Sequence, residues 1–175
     1  MTPTTPNLQG RLEFAVEIAQ QAGDKTLELF RTNDLGLERK SDGSPVTDAD
    51  RGAEQLLRAC IRERFRDDAI LGEEFGETPG TSGFRWVLDP IDGTKSFVSG
   101  VPLYTTLVAV LHDEQPVVGV VCAPAAGEMV YAARGGGCWH VVGTAKPRRC
   151  QVSAVDELGD AIFLTTSVKA FSTDR

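Results

Sequence analysis

What is scarce in this chain narrows its chemistry before any motif is read. There are two histidines, His112 and His140, and four cysteines, Cys60, Cys122, Cys138 and Cys150, with no Cys-x-x-Cys pair among them. A zinc site needs close thiol pairs or more imidazole, so zinc is not expected. Scattered cysteines of this kind read as reduced, packed thiols of a reducing compartment. Long hydrophobic runs are also missing. The longest apolar-leaning stretch, "VPLYTTLVAVL" at 101–111, is far short of the ~20 residues that span a bilayer. The opening "MTPTTPNLQG" has neither the basic nor the apolar region of a secretory leader, so a cytoplasmic protein with no membrane partner is expected. Positive charge is in deficit: 18 Lys and Arg against 25 Asp and Glu give a net charge of −7. That balance argues against nucleic acid as a partner.

What is present suits one globular domain, since 175 residues can bury a core. Residues 8 to 31 carry Leu12, Ala15, Val16, Ala19, Ala22, Leu29 and Phe30 at three- and four-residue spacings, the pattern of an amphipathic helix. Residues 33–45 combine turn residues with the basic pair Arg39-Lys40 and read as a short strand running into a loop. A second helix starts at the N-cap Thr47 and runs to about Phe65. Strands are then predicted at 69–74, 85–89, 104–112, 116–124 and 128–134, followed by a turn and strand within 134–143 and a last strand at 161–167. Two helices followed by strands linked mostly as hairpins predict an α+β fold with a largely antiparallel sheet. Residues 1–9 are expected to be disordered or extended, with the domain at 10–175.

The acids are unevenly spread. Asp67, Asp68, Glu73, Glu74, Glu77, Asp89 and Asp92 fall within residues 67–92, against one base, Arg85. If several converge, their repulsion must be relieved by protonation or by a cation. In "WVLDPIDGTKSF" (86–97), Asp89 and Asp92 leave the end of an apolar strand around a stiff Pro90, and the Ile91 carbonyl can share their space. Glu73 and Glu74 end another strand. Should the two strands be neighbours, these oxygens suit Mg²⁺, Mn²⁺ or Ca²⁺ rather than zinc or copper. Gly93-Thr94 precede a helix-compatible segment, where a phosphate can meet free N–H groups and a hydroxyl can orient a water. Read alone, Asp50 is a helix-start acid, Asp48 a first-turn acid, and Lys40 either a phosphate partner or a solvated base.

"SPVTDAD" (44–50), "LGEE" (71–74) and "WVLDPIDGTKSF" together resemble the inositol monophosphatase superfamily of Mg²⁺-dependent, lithium-sensitive phosphatases, from about residue 10 to the end. "DPIDGTKSF", the following "SGVPLYTTLVAVL", "ARGGGCW" and "LTTS" most resemble its histidinol-phosphate phosphatase branch. Inositol-type members tend to read "GTTNF" at this point, and phosphatases of bisphosphorylated adenosine "GTKEF". The resemblance implies a phosphomonoesterase of histidine biosynthesis acting on a small phosphorylated metabolite. It implies Glu73, Asp89 and the Ile91 carbonyl as ligands of one Mg²⁺, and Asp89 with Asp92 as ligands of a second. Glu73 would also serve a third, looser ion, with Glu74 beside it. Gly93 and Thr94 would bind phosphate, and Thr94 with Asp50 would activate the attacking water.

The resemblance also implies a longer chain. Members carry a second α/β domain that completes a layered αβαβα sandwich, together with a "WD" motif whose aspartate completes the second metal site. Here neither Trp86 nor Trp139 is followed by Asp. The expectation is therefore an N-terminal half whose second site is incomplete and whose sheet has an open apolar face, to be covered by a homo-oligomer or by another chain. The rival readings are an inositol monophosphatase or a nucleotide 3′-phosphatase of the same superfamily and, from another class, a catalytically silent metal-binding fragment or interaction module.

Overall fold

A computed structural model describes residues 8–164. The first helix, α1 (Leu8–Leu27), buries Leu12, Phe14, Ala15, Ile18, Ala19 and Ala22 along one stripe. It starts inside the stretch expected to be extended, because Leu8 already packs against the core. It also stops short of residue 31. Beyond Leu27 the N–H groups of Leu29 and Phe30 both turn back to the Thr26 carbonyl, and Arg31 takes a φ of 63°, through which a right-handed helix cannot continue. A two-stranded antiparallel ribbon follows, β1 (Glu38–Arg39) with β2 (Pro45–Val46). Next comes α2 (Asp48–Arg64), with Thr47 at its N-cap as predicted.

Among the described residues eight strands make the main sheet: β3 (Ala69–Gly72), β4 (Gly76–Thr78), β5 (Phe84–Asp92), β6 (Thr105–His112), β7 (Gln115–Ala123), β8 (Glu128–Ala133), β9 (Gly137–Val142) and β10 (Arg148–Cys150). Their spatial order is β10-β9-β8-β7-β6-β5-β3-β4, and every neighbouring pair is antiparallel except β3 with β5. The chain is thus α+β with a mostly antiparallel sheet, as its sequence pattern implies. β4 and β10, three residues each, are too short to carry a periodic signal. The strand expected at 161–167 does not form over 161–164, where Ile162 and Leu164 stand exposed; 165–167 lie outside the described residues. A short helix, α3 (Thr94–Val98), follows β5.

Alternation along the strands sorts the two faces. Ile70, Trp86, Leu88, Val108, Val110, Val118 and Val120 are buried in the same cluster as the apolar stripes of α1 and α2. The opposite face presents Leu71, Val121 and Val130, each more than a third exposed. At one end of the helix-covered core, Phe14, Phe65 and Trp86 meet with ring centroids 5.4–5.9 Å apart.

Asp68 anchors that corner. Its carboxylate accepts hydrogen bonds from Arg11 Nε (3.2 Å) and Nη2 (3.1 Å), from Ser82 Oγ (2.6 Å) and from the indole Nε1 of Trp86 (2.9 Å). The acidic stretch therefore does not converge as a whole. Asp68 is spent on Arg11, and Glu77 pairs with Arg85 at 3.3 Å. Replacing Asp68 with Ala strands a part-buried guanidinium and a buried indole N–H, and is expected to destabilise the chain by roughly 1–3 kcal/mol. Urea unfolding of Asp68→Ala measures this; a loss below about 1 kcal/mol would show that water replaces the carboxylate.

Candidate active site

The parallel pairing sets Gly72 opposite Leu88, so β3 and β5 end side by side. Glu73 follows directly, and its N–H donates to the Leu88 carbonyl at 3.2 Å. Asp89, which follows Leu88 on β5, stands close enough to the Glu73 carboxylate for Glu73 to raise its pKa. Between Asp89 and Asp92 the β5–β6 ladder is irregular: three steps along β5, from Asp89 to Asp92, face two along β6, from Leu107 to Thr105. Simple alternation would send residues three apart to opposite faces. The bulge, at a proline with no N–H to offer the ladder, re-aims them. Glu73, Asp89, Asp92, Gly93 and Thr94 accordingly line one cleft of ≈ 280 Å³.

Gly93 takes a φ of 95°, and a Cβ there would lie 3.1 Å from the Leu103 carbonyl oxygen. Only glycine turns the chain from β5 into α3 so tightly. The turn brings the Thr94 hydroxyl to 3.1 Å from the Ile91 carbonyl and 3.5 Å from Asp50 Oδ1. Asp50 is buried, and its Oδ2 accepts from both the N–H (2.7 Å) and the hydroxyl (2.5 Å) of Thr47. It is thus a helix-start acid and a neighbour of Thr94 at once. Asp48 stays on the surface beside Arg51, at 3.6 Å.

Lys40 is partly exposed but is not left to solvent alone. Its ammonium bridges Glu73 Oε1 (2.7 Å) and Glu74 Oε1 (2.8 Å). Partial burial works to lower its pKa, but the hydrogen bonds and attraction of both glutamates outweigh that and hold it above the usual lysine range. Glu74 is raised, by burial first and by Asp50 and Glu73 after it, with Lys40 opposing. Burial also raises Asp50, against the pull of Thr47. Asp89 is pushed up to about 7, by burial first, then by Glu73 and Asp92.

Among the described residues no three acidic, imidazole or thiol side chains are closed into a ready-made metal-ligand set. The donors are nevertheless all hard oxygens, and the burial and crowding that lift Asp89 are what a divalent cation would offset. In donor chemistry, then, the cleft fits Mg²⁺.

Two residues outside the sequence-predicted set hold this geometry. Glu54, fully buried on α2, accepts from Arg58 Nε (2.7 Å) and from the N–H groups of Glu74 (2.7 Å) and Phe75 (3.2 Å). Arg58 in turn donates to the Gly76 carbonyl. Gly72 makes room for this carboxylate, since a Cβ at that position would lie 2.0 Å from Glu54 Oε1. The available signal was an acid on the apolar stripe of α2, between Ala53 and Leu57 and one turn after Asp50.

The α+β layer thus gathers carboxylates, a glycine turn and a hydroxyl at adjoining strand ends. The inositol monophosphatase family profile matches residues 7–174, and the chain belongs to that family. Histidinol-phosphatase of Chlorobaculum parvum is 46% identical over 135 residues, covering 77% of this chain and 51% of that protein. Histidinol-phosphatase of Mycobacterium tuberculosis is 42% identical over 161 residues, covering 92% and 62%. Among solved structures, extragenic suppressor protein SuhB from Bartonella henselae superposes with a TM-score of 0.77 at 29% identity, covering 83% of this chain and 55% of that one. The Thermotoga maritima IMPase gives 0.72 at 31% identity, covering 83% and 54%. The chain thus spans roughly half to two thirds of the length of the relatives it matches.

Two outcomes follow from this geometry. Gly72→Ala drives a methyl into the buried Glu54 carboxylate and is expected to cost about 1–3 kcal/mol, read as a lowered melting temperature. Asp89 has a folded pKa above its unfolded value, so without divalent cation the folded state binds the extra proton. Stability from this group is present below about pH 4 and is lost as pH rises to about 7. Asp89→Asn should flatten that fall in a series of melts from pH 4 to 8; an unchanged slope would sink the assignment.

Proposed function

We propose that this chain carries the phosphate-hydrolysing half-site of a Mg²⁺-dependent phosphomonoesterase whose substrate is histidinol phosphate. The observation that carries the reading is the convergence of Glu73, Asp89, Asp92, Gly93 and Thr94 on one cleft. Glu73, Asp89 and the Ile91 carbonyl would hold one Mg²⁺, and Asp89 with Asp92 a second, with Glu73 and Glu74 beside a looser third. Bound there, Mg²⁺ supplies an acidified water and neutralises charge on the leaving oxygen.

The rest is the work of the chain itself. Thr94 Oγ1, whose proton points to Ile91 or Asp50, accepts a hydrogen bond from the attacking water and orients it. Asp50 sits behind the hydroxyl as the proton acceptor, kept in place by Thr47. The N–H groups of Gly93 and Thr94, at the start of α3, bind the phosphate oxygens. Lys40 stands close enough to offset the charge around Glu73 and Glu74. No covalent intermediate is required.

The choice of histidinol phosphate is supported by "GTKSF" and by the two histidinol-phosphatases at 46% and 42% identity. The test is phosphate release from histidinol phosphate, inositol monophosphate and a bisphosphorylated adenosine, with and without Mg²⁺. Mg²⁺-dependent release from histidinol phosphate is expected to exceed release from the other two by at least roughly tenfold. Mg²⁺ binding with no turnover on any substrate would assign a metal-binding module instead. Titration calorimetry on Asp89→Asn should show Mg²⁺ affinity lost; unchanged affinity would defeat the ligand assignment.

A further inference from the structure

At the far edge of the sheet from the cleft, β10 pairs with β9 and sets Cys150 directly opposite Cys138. The thiol of Cys150 donates to the sulfur of Cys138 at an Sγ–Sγ separation of 3.2 Å, and both residues are partly accessible. Bonded sulfurs lie about 2.05 Å apart, so closure needs an approach of only about 1 Å between facing side chains. We propose that Cys138 and Cys150 form a reversible redox site, oxidised by a small-molecule disulfide of the glutathione class to a cross-strand disulfide that fastens β10 to the sheet.

The chemistry is thiol–disulfide exchange. One cysteine thiolate attacks a sulfur of the external disulfide and expels one thiolate. The facing cysteine thiolate then attacks the mixed disulfide at the protein sulfur, forms the Sγ–Sγ bond and expels the second. Two protein thiols are oxidised, one external disulfide is reduced to two thiols, and the two cysteine protons end on them.

The surroundings favour this pair over the remaining thiols. Cys122 is buried under α1, and burial pushes its thiol up to about 11. Cys60, on α2, has no facing cysteine; its thiol contacts Gln21 at 3.8 Å. Arg148 and Arg149 precede Cys150 in the chain and offer positive charge to an anionic disulfide. Hydrogen bonding between the two thiols, in which either S–H can be the donor, and then partial burial hold the Cys138 thiol above its usual range, so exchange accelerates above neutral pH. The consequence is mechanical. β10 has three residues and one neighbour, and residues 151–164 beyond it leave the sheet. The disulfide fixes the point of departure.

The experiment incubates the full chain with oxidised glutathione at pH 8 and reads intact mass and peptide maps. Expected is a loss of about 2 Da with no glutathione retained, two of the four thiols gone, and a single link between Cys138 and Cys150, reversed by dithiothreitol. Cys138→Ser and Cys150→Ser should each give a stable glutathione adduct on the remaining partner instead. Hydrogen exchange at 148–150 should slow by roughly tenfold to a hundredfold on oxidation of the wild type, and not in either variant. Adducts retained at both cysteines of the wild type, or a link involving Cys60, would overturn the proposal. Because the wild-type mass decides alone, a variant that fails to fold does not rescue it.

Discussion

The parallel register between β3 and β5 is the constraint on which the site depends. In an antiparallel pair the C-terminal end of one strand lies beside the start of the other, and Glu73 would be a strand length from Asp89. Here the hairpin from β3 to β4 is placed outside β3, and the chain returns across 79–83, where the N–H groups of Thr81 and Ser82 are tied to the Asp67 carbonyl. β5 therefore enters next to β3 in the same direction, and both release acids at one edge. The rest of the sheet is a series of antiparallel pairs that extends this arrangement without altering it.

Carboxylates so gathered are under mutual repulsion, and the chain relieves it by several routes at once. Lys40 reaches across from the loop between β1 and β2 to neutralise Glu73 and Glu74. Asp89 instead holds a proton more readily: burial first, then the nearness of Glu73 and Asp92, raises its pKa to about 7. Asp50 is compensated by the N–H and hydroxyl of Thr47. A divalent cation would compete with the first two routes and leave the third untouched.

Much of this could be read from residues alone, for identifiable reasons. The apolar stripe of α1 and the Thr47 cap of α2 are local signals, and so are the β6 and β7 alternations. "DPIDGT" announced a cleft because its composition is wasteful for a turn. Non-local matters were harder. Nothing in "AILGEE" indicates that its strand runs parallel to the next long one. The acid run at 67–92 is divided by partners on other elements: Asp68 goes to Arg11, 57 residues away, while Glu77 goes to Arg85. The end of α1 was misjudged because Leu29 and Phe30 continue its apolar spacing. Phe30 instead packs with Phe97 and Tyr104 around the base of α3, in a second apolar cluster. Apolar periodicity registers burial and cannot say into which cluster.

A four-residue strand would ordinarily be a poor platform for chemistry that tolerates errors of less than an ångström. β3 is held at both ends by buried carboxylates rather than by its own packing. Before it stands Asp68, joined to α1 through Arg11 and to β5 through Trp86. After it stands Glu54 of α2, joined to the Glu74 and Phe75 N–H groups and, through Arg58, to the Gly76 carbonyl and the Thr78 hydroxyl at 3.1 Å. Each anchor satisfies several donors with one charge, and each is paired with an arginine, Arg58 buried and Arg11 partly so, the arrangement in which burying a carboxylate is tolerated. Apolar contact alone would let β3 slide, since Ile70 offers the same surface to neighbours at slightly different heights. Hydrogen bonds to defined backbone groups do not. The placement of Glu73 against Asp89 thus comes from two polar clamps that stand outside the cleft lining, and Gly72 is a glycine because one of those clamps passes where its side chain would be.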